Sequence, residues 1–356
     1  MSAAMISLLI PTMNRSDFLI RLLRYYWTLG FQGCICIGDS SKAEHVERTK
    51  KAINEFQDKL NIVYREYPDF NDSECIQQLA ELASTPYVAF IADDDFLVPA
   101  ALEKCALFLD SHPDYSTVHG VGITIRLKSR GVYGQVALIA HYPQPVVEAE
   151  SASQRLLDYM RNYSTAIFSV HRVGPWREMY KDISLLTDKR FTELMPCCFS
   201  VIQGKTKELD CFYLVRQTHY RRYLLPTKSE WMASPNFSPS YQVFCDCLAK
   251  ELIQQDEISM DEARVVVEQA FSYYLTESFV EPWHSHFGIP RLLQTGMLVP
   301  GARYVWRVSR WILRSLNLVG RDENPLKRFL STSSPYHDDF MPVYRALTEV
   351  LAEFPE

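Results

Sequence analysis

The chain has 356 residues, of which 47% are hydrophobic and 22% charged, and its formal net charge at pH 7 is −6. This composition is typical of a soluble globular protein, and the negative charge argues against a nucleic-acid partner held by a general positive field. The nine cysteines form no Cys-x-x-Cys pair, which argues against zinc or thioredoxin-like sites. With no signal-peptide pattern and no apolar run of membrane-spanning length, the sequence predicts a cytoplasmic protein.

Short apolar segments alternate with amphipathic ones through the first 110 residues. Each apolar segment has the length and composition of a buried strand, and each amphipathic segment has the periodicity of a helix. This alternation predicts an α/β fold with a mostly parallel, doubly wound sheet. The predicted strands are 6–10, 34–37, 62–64 and 87–92, and the predicted helices are 16–30, 43–60, 73–83 and 100–109.

Polar side chains gather where these predicted strands end. Thr12, Asn14 and Arg15 follow the first strand, Asp39 follows the second, and Asp93–Asp95 follow the fourth. The carboxyl ends of parallel strands form the ligand-binding crevice of open α/β sheets. Three adjacent carboxylates repel one another, and a divalent cation with oxygen ligands is the natural compensation. The alternative is a solvated acidic turn or helix cap without a function.

The sequence contains neither the Gly-x-Gly-x-x-Gly dinucleotide fingerprint nor the Gly-x-x-x-x-Gly-Lys-Ser/Thr phosphate loop, so dehydrogenases and P-loop enzymes are poor candidates. The segments 7–15 (SLLIPTMNR), 38–41 (GDSS) and 90–99 (FIADDDFLVP) instead resemble the metal-dependent GT-A glycosyltransferases, and family 2 in particular. Segment 70–82 lacks the Gly and Arg-Asn that often precede the fourth strand in that family.

The resemblance implies a GT-A fold and assigns roles to the polar residues at the strand ends. A nucleoside-diphosphate-sugar donor, with Asp39 favouring uridine, and Mn²⁺ or Mg²⁺ are the expected ligands. Asp93 and Asp95 are expected to bind the metal. The expected donor contacts in this half of the chain are Pro11, Thr12, Asn14, Arg15, Asp39 and Asp94.

Residues 115–225 are expected to complete the sheet and to form the acceptor side. Inverting members of family 2 carry a carboxylate at this stage, and Glu193, at the start of a predicted helix over 189–202, is the matching candidate for the catalytic base. Asp188 is the competing candidate. The alternative for Glu193 is a first-turn residue favoured by the helix dipole.

A basic and aromatic segment follows the last predicted strand of this region, 209–213. The resemblance makes His219 the candidate third protein ligand of the metal and places Arg216, Arg221 or Arg222 on the donor phosphates. The alternative is that His219 is a structural histidine among aromatic side chains.

A Pro- and Ser-rich stretch predicts a boundary between a catalytic domain, 1–228, and a mainly helical extension, 229–356. In Arg303–Leu316, four arginines fall on one side of a predicted helix and apolar residues on the other. Two interpretations are open: a packed helix with a solvated basic face, or a helix that makes peripheral contact with the inner face of a membrane.

The sequence therefore predicts a metal-dependent, inverting glycosyltransferase that acts on a hydroxyl of a glycan or lipid-linked acceptor. A sugar-phosphate nucleotidyltransferase is disfavoured because Pro-Thr-Met-Asn-Arg replaces its Gly-rich basic loop. A haloacid-dehalogenase-type phosphatase is disfavoured because Leu97 stands where Thr or Val is needed. A non-catalytic nucleotide-sugar-binding protein is the remaining alternative.

Overall fold

In the computed structural model, which describes residues 5–219, 226–287 and 325–349, nine strands form one mixed sheet. The buried apolar segments of the sequence supply its centre, since every residue of the first strand except one is buried. The strands are β1 (Ile6–Thr12), β2 (Cys34–Asp39), β3 (Asn61–Glu66), β4 (Tyr87–Phe90), β5 (Phe96–Leu97), β6 (Tyr115–Leu127), β7 (Val136–Tyr142), β8 (Val170–Arg172) and β9 (Lys205–Thr218).

The strand order is β3-β2-β1-β4-β8-β6-β9-β5, and β7 pairs with β6 at the side of this path. The first four strands in that order are parallel, which confirms the doubly wound half predicted from the sequence. Strand β8 then runs antiparallel to both of its neighbours, while β6 and β9 are parallel to each other. The fold is therefore α/β with a mainly parallel central sheet.

Helices cover the sheet and continue beyond it. Gly30 ends the first helix in a left-handed conformation, with φ of 63°, which glycine adopts without strain. The helices are α1 (Ser16–Leu29), α2 (Ala43–Phe56), α3 (Asp72–Leu82), α4 (Pro99–Ser111), α5 (Ala152–Arg161), α6 (Val173–Tyr180), α7 (Lys189–Ile202), α8 (Lys228–Met232), α9 (Phe237–Asp256), α10 (Met260–Phe287), α11 (Pro325–Leu330) and α12 (His337–Thr348), with a 3₁₀ turn at Ile183–Leu185.

Strand register brings the polar segments to one edge of the sheet. Thr12, the last residue of β1, pairs with Asp39 at the end of β2, and β4 runs alongside β1. From the other side, the short strand β5 pairs antiparallel with β9, so that Phe96 lies opposite Val215. The chain just before Phe96 therefore meets the last residues of β9.

The sequence of 130–142 predicts either a hairpin or a flexible loop, and the structure shows the hairpin, because β7 pairs antiparallel with β6. One other segment differs from its predicted form. The predicted strand over 166–171 is reduced to β8, and it pairs only through Val170–Arg172. Ala166 and Phe168, just before β8, are buried without being part of a strand, so their burial did not require strand pairing.

The helices after residue 228 pack on the preceding part of the chain. Helix α10 lies against α5, α9 against α7, and α12 against α1, and all contribute to the same hydrophobic cluster. The predicted domain boundary remains a prediction. Arg303–Leu316 lies outside the described residues. None of the described helices combines the length and hydrophobicity that crossing a membrane requires.

Candidate active site

Three consecutive carboxylates lie just after β4, at the edge where the parallel strands end. Asp93, Asp94 and Asp95 expose only 3%, 7% and 1% of their surface. Buried carboxylates are costly unless cations or hydrogen-bond donors compensate them. The surrounding residues supply such partners from three separate parts of the chain.

Asp93 interacts with the loop after β1. Thr12 donates a hydrogen bond from its hydroxyl to Asp93 Oδ2 over 2.8 Å. Arg15 Nη1 lies 3.0 Å from the other carboxylate oxygen, Oδ1. Two of the residues predicted to contact the donor therefore meet the first residue of the acidic triplet.

Asp94 is held by residues that lie far apart in the sequence. Arg15 Nη2 lies 2.6 Å from Asp94 Oδ2, and His219 Nε2 lies 2.7 Å from the same oxygen. Arg21, which is buried in α1, donates to the backbone carbonyl of Asp94 over 2.9 Å and to the side chain of Gln217 over 2.7 Å. The structure thus places His219 beside the triplet, and its role as a metal ligand remains a prediction.

Asp95 joins the triplet to the end of β9. Arg216 Nε donates to Asp95 Oδ2 over 3.0 Å, and the backbone N–H of Gln217 donates to Oδ1 over 2.8 Å. Arg216 also donates to the hydroxyl of Tyr142 and packs its guanidinium over the Phe168 ring. Arg216 is therefore a partner of Asp95 as well as a predicted phosphate contact.

Burial and charge shift the three acids in different directions. Burial raises the pKa of Asp93 to about 7, although Arg15 opposes this shift. Burial and the neighbouring Asp94 raise the pKa of Asp95 to about 6, against Arg216. Burial acts in the same direction on Asp94, but hydrogen bonds from His219 and Arg15 outweigh it and lower its pKa to about 2. Asp93 and Asp95 are thus incompletely compensated, and an additional cation would stabilise their charged forms.

The chemistry of these side chains fits Mn²⁺ or Mg²⁺. Both ions prefer oxygen ligands, and Asp93 Oδ1 is a buried carboxylate oxygen that receives no hydrogen bond despite its proximity to Arg15. Over residues 5–219, 226–287 and 325–349, no three His, Cys, Asp or Glu side chains converge in a ready-made cluster. In the structure each carboxylate of the triplet faces an arginine instead.

The loop after β2 completes the crevice. Asp39 is 1% exposed, and its two carboxylate oxygens accept hydrogen bonds from the Ser41 N–H and the Tyr64 hydroxyl, each over 2.9 Å. Asn14, in a left-handed conformation with φ of 57°, accepts from the N–H of Lys42 over 2.9 Å. Pro11 pairs in register with Gly38, so the loops after β1 and β2 are held together.

The two predicted base candidates lie on α7. Asp188 is its N-cap and accepts from the N–H groups of Arg190 and Phe191 over 2.9 and 3.2 Å and from Trp231 Nε1 over 2.9 Å. Glu193 is exposed and accepts a hydrogen bond from the Tyr163 hydroxyl over 2.9 Å. Neither has a hydrogen bond or ion pair with the triplet among the described residues, and the role of Glu193 as base remains a prediction.

Two predicted phosphate contacts, Arg221 and Arg222, lie outside the described residues. Two residues that contact the triplet or its partners, Arg21 and Tyr142, were not predicted from the sequence. Arg21 had a signal, because it falls on the same helical stripe as Phe18 and Tyr25, and a charge on an apolar stripe needs a buried partner. Tyr142 reaches Arg216 through the β6–β7 hairpin, and no local pattern indicates that contact.

Residues 7–182 match the family model described as glycosyl transferase family 2. No relative was found among curated protein sequences. Similar solved structures include S. aureus TarS 1–349 in complex with UDP-GlcNAc, at 15% identity and a TM-score of 0.47, covering 86% of this chain and 80% of that one. They also include the mannosyltransferase PcManGT from Pyrobaculum calidifontis in complex with GDP-Man and Mn²⁺, at 11% identity and a TM-score of 0.43, covering 96% and 84%.

Proposed function

Because the match over residues 7–182 makes this chain a glycosyltransferase of family 2, we propose that it uses a UDP-sugar donor and a divalent cation. The acceptor in this proposal is a hydroxyl of a glycan or lipid-linked glycan, and the reaction inverts the anomeric centre. The observation that carries the proposal is the buried Asp93–Asp95 triplet at the sheet edge, with its basic and hydroxyl partners.

Each group of residues has a distinct task in this proposal. Asp39 accepts a hydrogen bond from uracil N3–H, and the loop carrying Thr12, Asn14 and Arg15 surrounds the nucleotide. Asp93 and Asp95, with His219, would hold Mn²⁺ or Mg²⁺, which when bound supplies positive charge to the leaving diphosphate. Arg216, near the end of β9, and Arg221 would contact the phosphates.

Glu193 takes the acceptor proton in this proposal. Inversion is a single displacement, so the hydroxyl must lose its proton as the new glycosidic bond forms. A carboxylate on the acceptor side suits this task, and Glu193 is open to solvent with one donor, Tyr163, bound to it. Asp188 is the less suitable base, because its carboxylate is already used to cap α7 and to bind Trp231.

A nucleotide screen tests the proposal on the full chain. Thermal unfolding would be followed with UDP, CDP and GDP and with their sugars, each with Mn²⁺ or with EDTA. A ligand at 100 times its dissociation constant adds about 2.7 kcal/mol of stability. We expect UDP compounds with Mn²⁺ to give the largest upward shift. Equal shifts with EDTA would contradict metal dependence, and a preference for GDP would contradict the role of Asp39.

Donor hydrolysis separates an enzyme from a non-catalytic binding protein. Release of UDP from the best donor, with and without candidate acceptors, would be measured on the same samples. We expect slow hydrolysis with Mn²⁺ that increases when a suitable acceptor hydroxyl is added. Tight binding without UDP release under any of these conditions would favour the non-catalytic alternative.

A further inference from the structure

Arg15 lies between two carboxylates of the acidic triplet. Its Nη1 is 3.0 Å from Asp93 Oδ1 and its Nη2 is 2.6 Å from Asp94 Oδ2, so one guanidinium spans both acids. The guanidinium packs over the Phe18 ring, whose centroid lies 4.4 Å from the guanidinium carbon. Arg15 therefore places a permanent positive charge beside Asp93 and Asp94.

The guanidinium and a metal ion compete for the same oxygens. Mn²⁺ and Mg²⁺ bind carboxylate oxygens directly, and Arg15 stays protonated at any accessible pH. A singly and a doubly charged cation on Asp93 Oδ1 would repel each other strongly at this depth of burial. For a metal to use Asp93, the Arg15 side chain must therefore move away.

Arg15 is more exposed than its neighbour Arg21 and has fewer neutral hydrogen-bond partners to hold it in place. The Arg15 side chain is 36% exposed and stands at the start of α1 without a capping bond. Arg21 is 1% exposed and is held by Asp94, Gln217 and the carbonyl of Val132. When Arg15 leaves the carboxylates, a diphosphate offers the best replacement, since guanidinium groups bind phosphate oxygens in a bidentate manner.

We propose that Arg15 couples metal binding to donor binding. Without ligands it neutralises Asp93 and Asp94 and so opposes the metal. When a nucleoside diphosphate arrives, Arg15 transfers to its phosphates and leaves the carboxylates to the metal. Each ligand then raises the affinity for the other by the same factor, as thermodynamic linkage requires. This inference rests on the proposed function, because it takes the triplet as the site of both ligands.

Direct Mn²⁺ binding tests the coupling. The free Mn²⁺ signal in electron paramagnetic resonance gives the dissociation constant with and without UDP, for the full chain and for Arg15→Ala. The control is Arg264→Ala. It removes an arginine of α10 that forms an exposed ion pair with Asp246 of α9. Wild type and the control are expected to bind Mn²⁺ at least about tenfold more tightly with UDP, within the usual range of coupling between sites.

Arg15→Ala is expected to change the Mn²⁺ affinity in one condition only. Without UDP it binds Mn²⁺ about tenfold more tightly than wild type, so the effect of UDP on Mn²⁺ affinity becomes about tenfold smaller than in wild type. Arg15→Lys keeps the charge but cannot span two carboxylates. Its Mn²⁺ affinity without UDP should therefore lie between those of wild type and Arg15→Ala. Because the side chain is partly exposed, neither variant should unfold.

The outcomes distinguish this inference from the proposed function. If wild type binds Mn²⁺ with UDP and Arg15→Ala shows the same dependence on UDP, the coupling role is wrong while the metal site stands. If wild type binds UDP but takes up no Mn²⁺ in any condition, the metal site is wrong and the coupling falls with it. If Arg264→Ala behaves like Arg15→Ala, the effect comes from general charge and the inference is also wrong.

Discussion

The chain contains two groups of candidate carboxylates, and they differ in surroundings. Asp93–Asp95 and Asp39 lie at the sheet edge and are almost fully buried, with partners that come from up to 125 residues away in sequence. Asp188 and Glu193 lie on α7, one half-buried and one exposed. The first group is held by arginines and a histidine in addition to hydroxyls and backbone N–H groups. The second is bound by backbone N–H groups, an indole and a phenol.

This difference shows which carboxylates require a functional explanation. Asp188 needs none, because capping a helix satisfies its charge and is a common use of aspartate. Three adjacent buried aspartates have no comparable structural use, and even with two arginines the pKa values of Asp93 and Asp95 stay raised to about 7 and 6. The sheet edge is therefore a stronger candidate for the functional site than α7, and substitutions in the two groups of carboxylates test that ranking.

Asp95→Asn should have the largest effect. The amide keeps an acceptor for the Gln217 N–H but removes the negative charge, and electrostatic contacts of this kind contribute about 10²–10³-fold in rate. We expect transfer from the best donor to fall by about 10³-fold with normal thermal unfolding. Asp95→Ala is a poorer test, because it leaves the Arg216 guanidinium without its carboxylate partner and should also cost about 3 kcal/mol of stability. Asp246→Asn, at a surface ion pair, is the control.

Glu193→Gln is expected to have the second largest effect. It should lower kcat by about 10²-fold and leave the donor affinity unchanged. The Tyr163 hydroxyl can donate to the glutamine carbonyl, so only the basicity is lost. Nuclear magnetic resonance of the product from an α-linked donor should show a β linkage. Full activity in Glu193→Gln together with a β product would transfer the role of base to another carboxylate, and an α product would contradict inversion.

Asp39→Ala tests base recognition at the sheet edge. Each Asp39 oxygen already accepts one hydrogen bond, from Ser41 or Tyr64, and these bonds fix the carboxylate for a third partner. Loss of the contact to uracil should cost about 1.5–3 kcal/mol, or about 10- to 150-fold in the preference for UDP over CDP by calorimetry. Tyr64→Phe removes one fixing bond only and should cost less. An unchanged preference in Asp39→Ala would show that Asp39 does not read the base.

Local patterns were sufficient to predict the first half of the fold. Apolar strands, amphipathic helices and polar strand ends in 1–110 indicated a parallel sheet with Asp39 and Asp93–Asp95 at one edge, as the structure confirms. Helix α7 also has the predicted bounds.

The contacts from β9 and β7 could not be predicted in the same way. Gln217 and Tyr142 reach the triplet region only through the pairing of β5 with β9 and of β6 with β7. Such pairings join segments far apart in sequence, and no single stretch of sequence encodes them. His219 and Arg216 were predicted nearby only because the family resemblance indicated them.

Asp188→Ala should have the smallest effect on catalysis and a clear effect on stability. The aspartate caps α7 through two N–H groups and binds the indole of Trp231, which is 1% exposed. Loss of a cap costs about 1 kcal/mol, and leaving a buried indole N–H unpaired adds about 1 kcal/mol or more. Urea unfolding should therefore show a loss of about 2 kcal/mol. Asn71→Ala, which removes the capping box of α3 without a buried indole, should lose only about half as much. The folded Asp188→Ala protein should keep a normal kcat, because a capping carboxylate touches no substrate. A 10²-fold loss of kcat in a stable Asp188→Ala protein would instead make Asp188 the base and reverse the ranking of the two residues on α7.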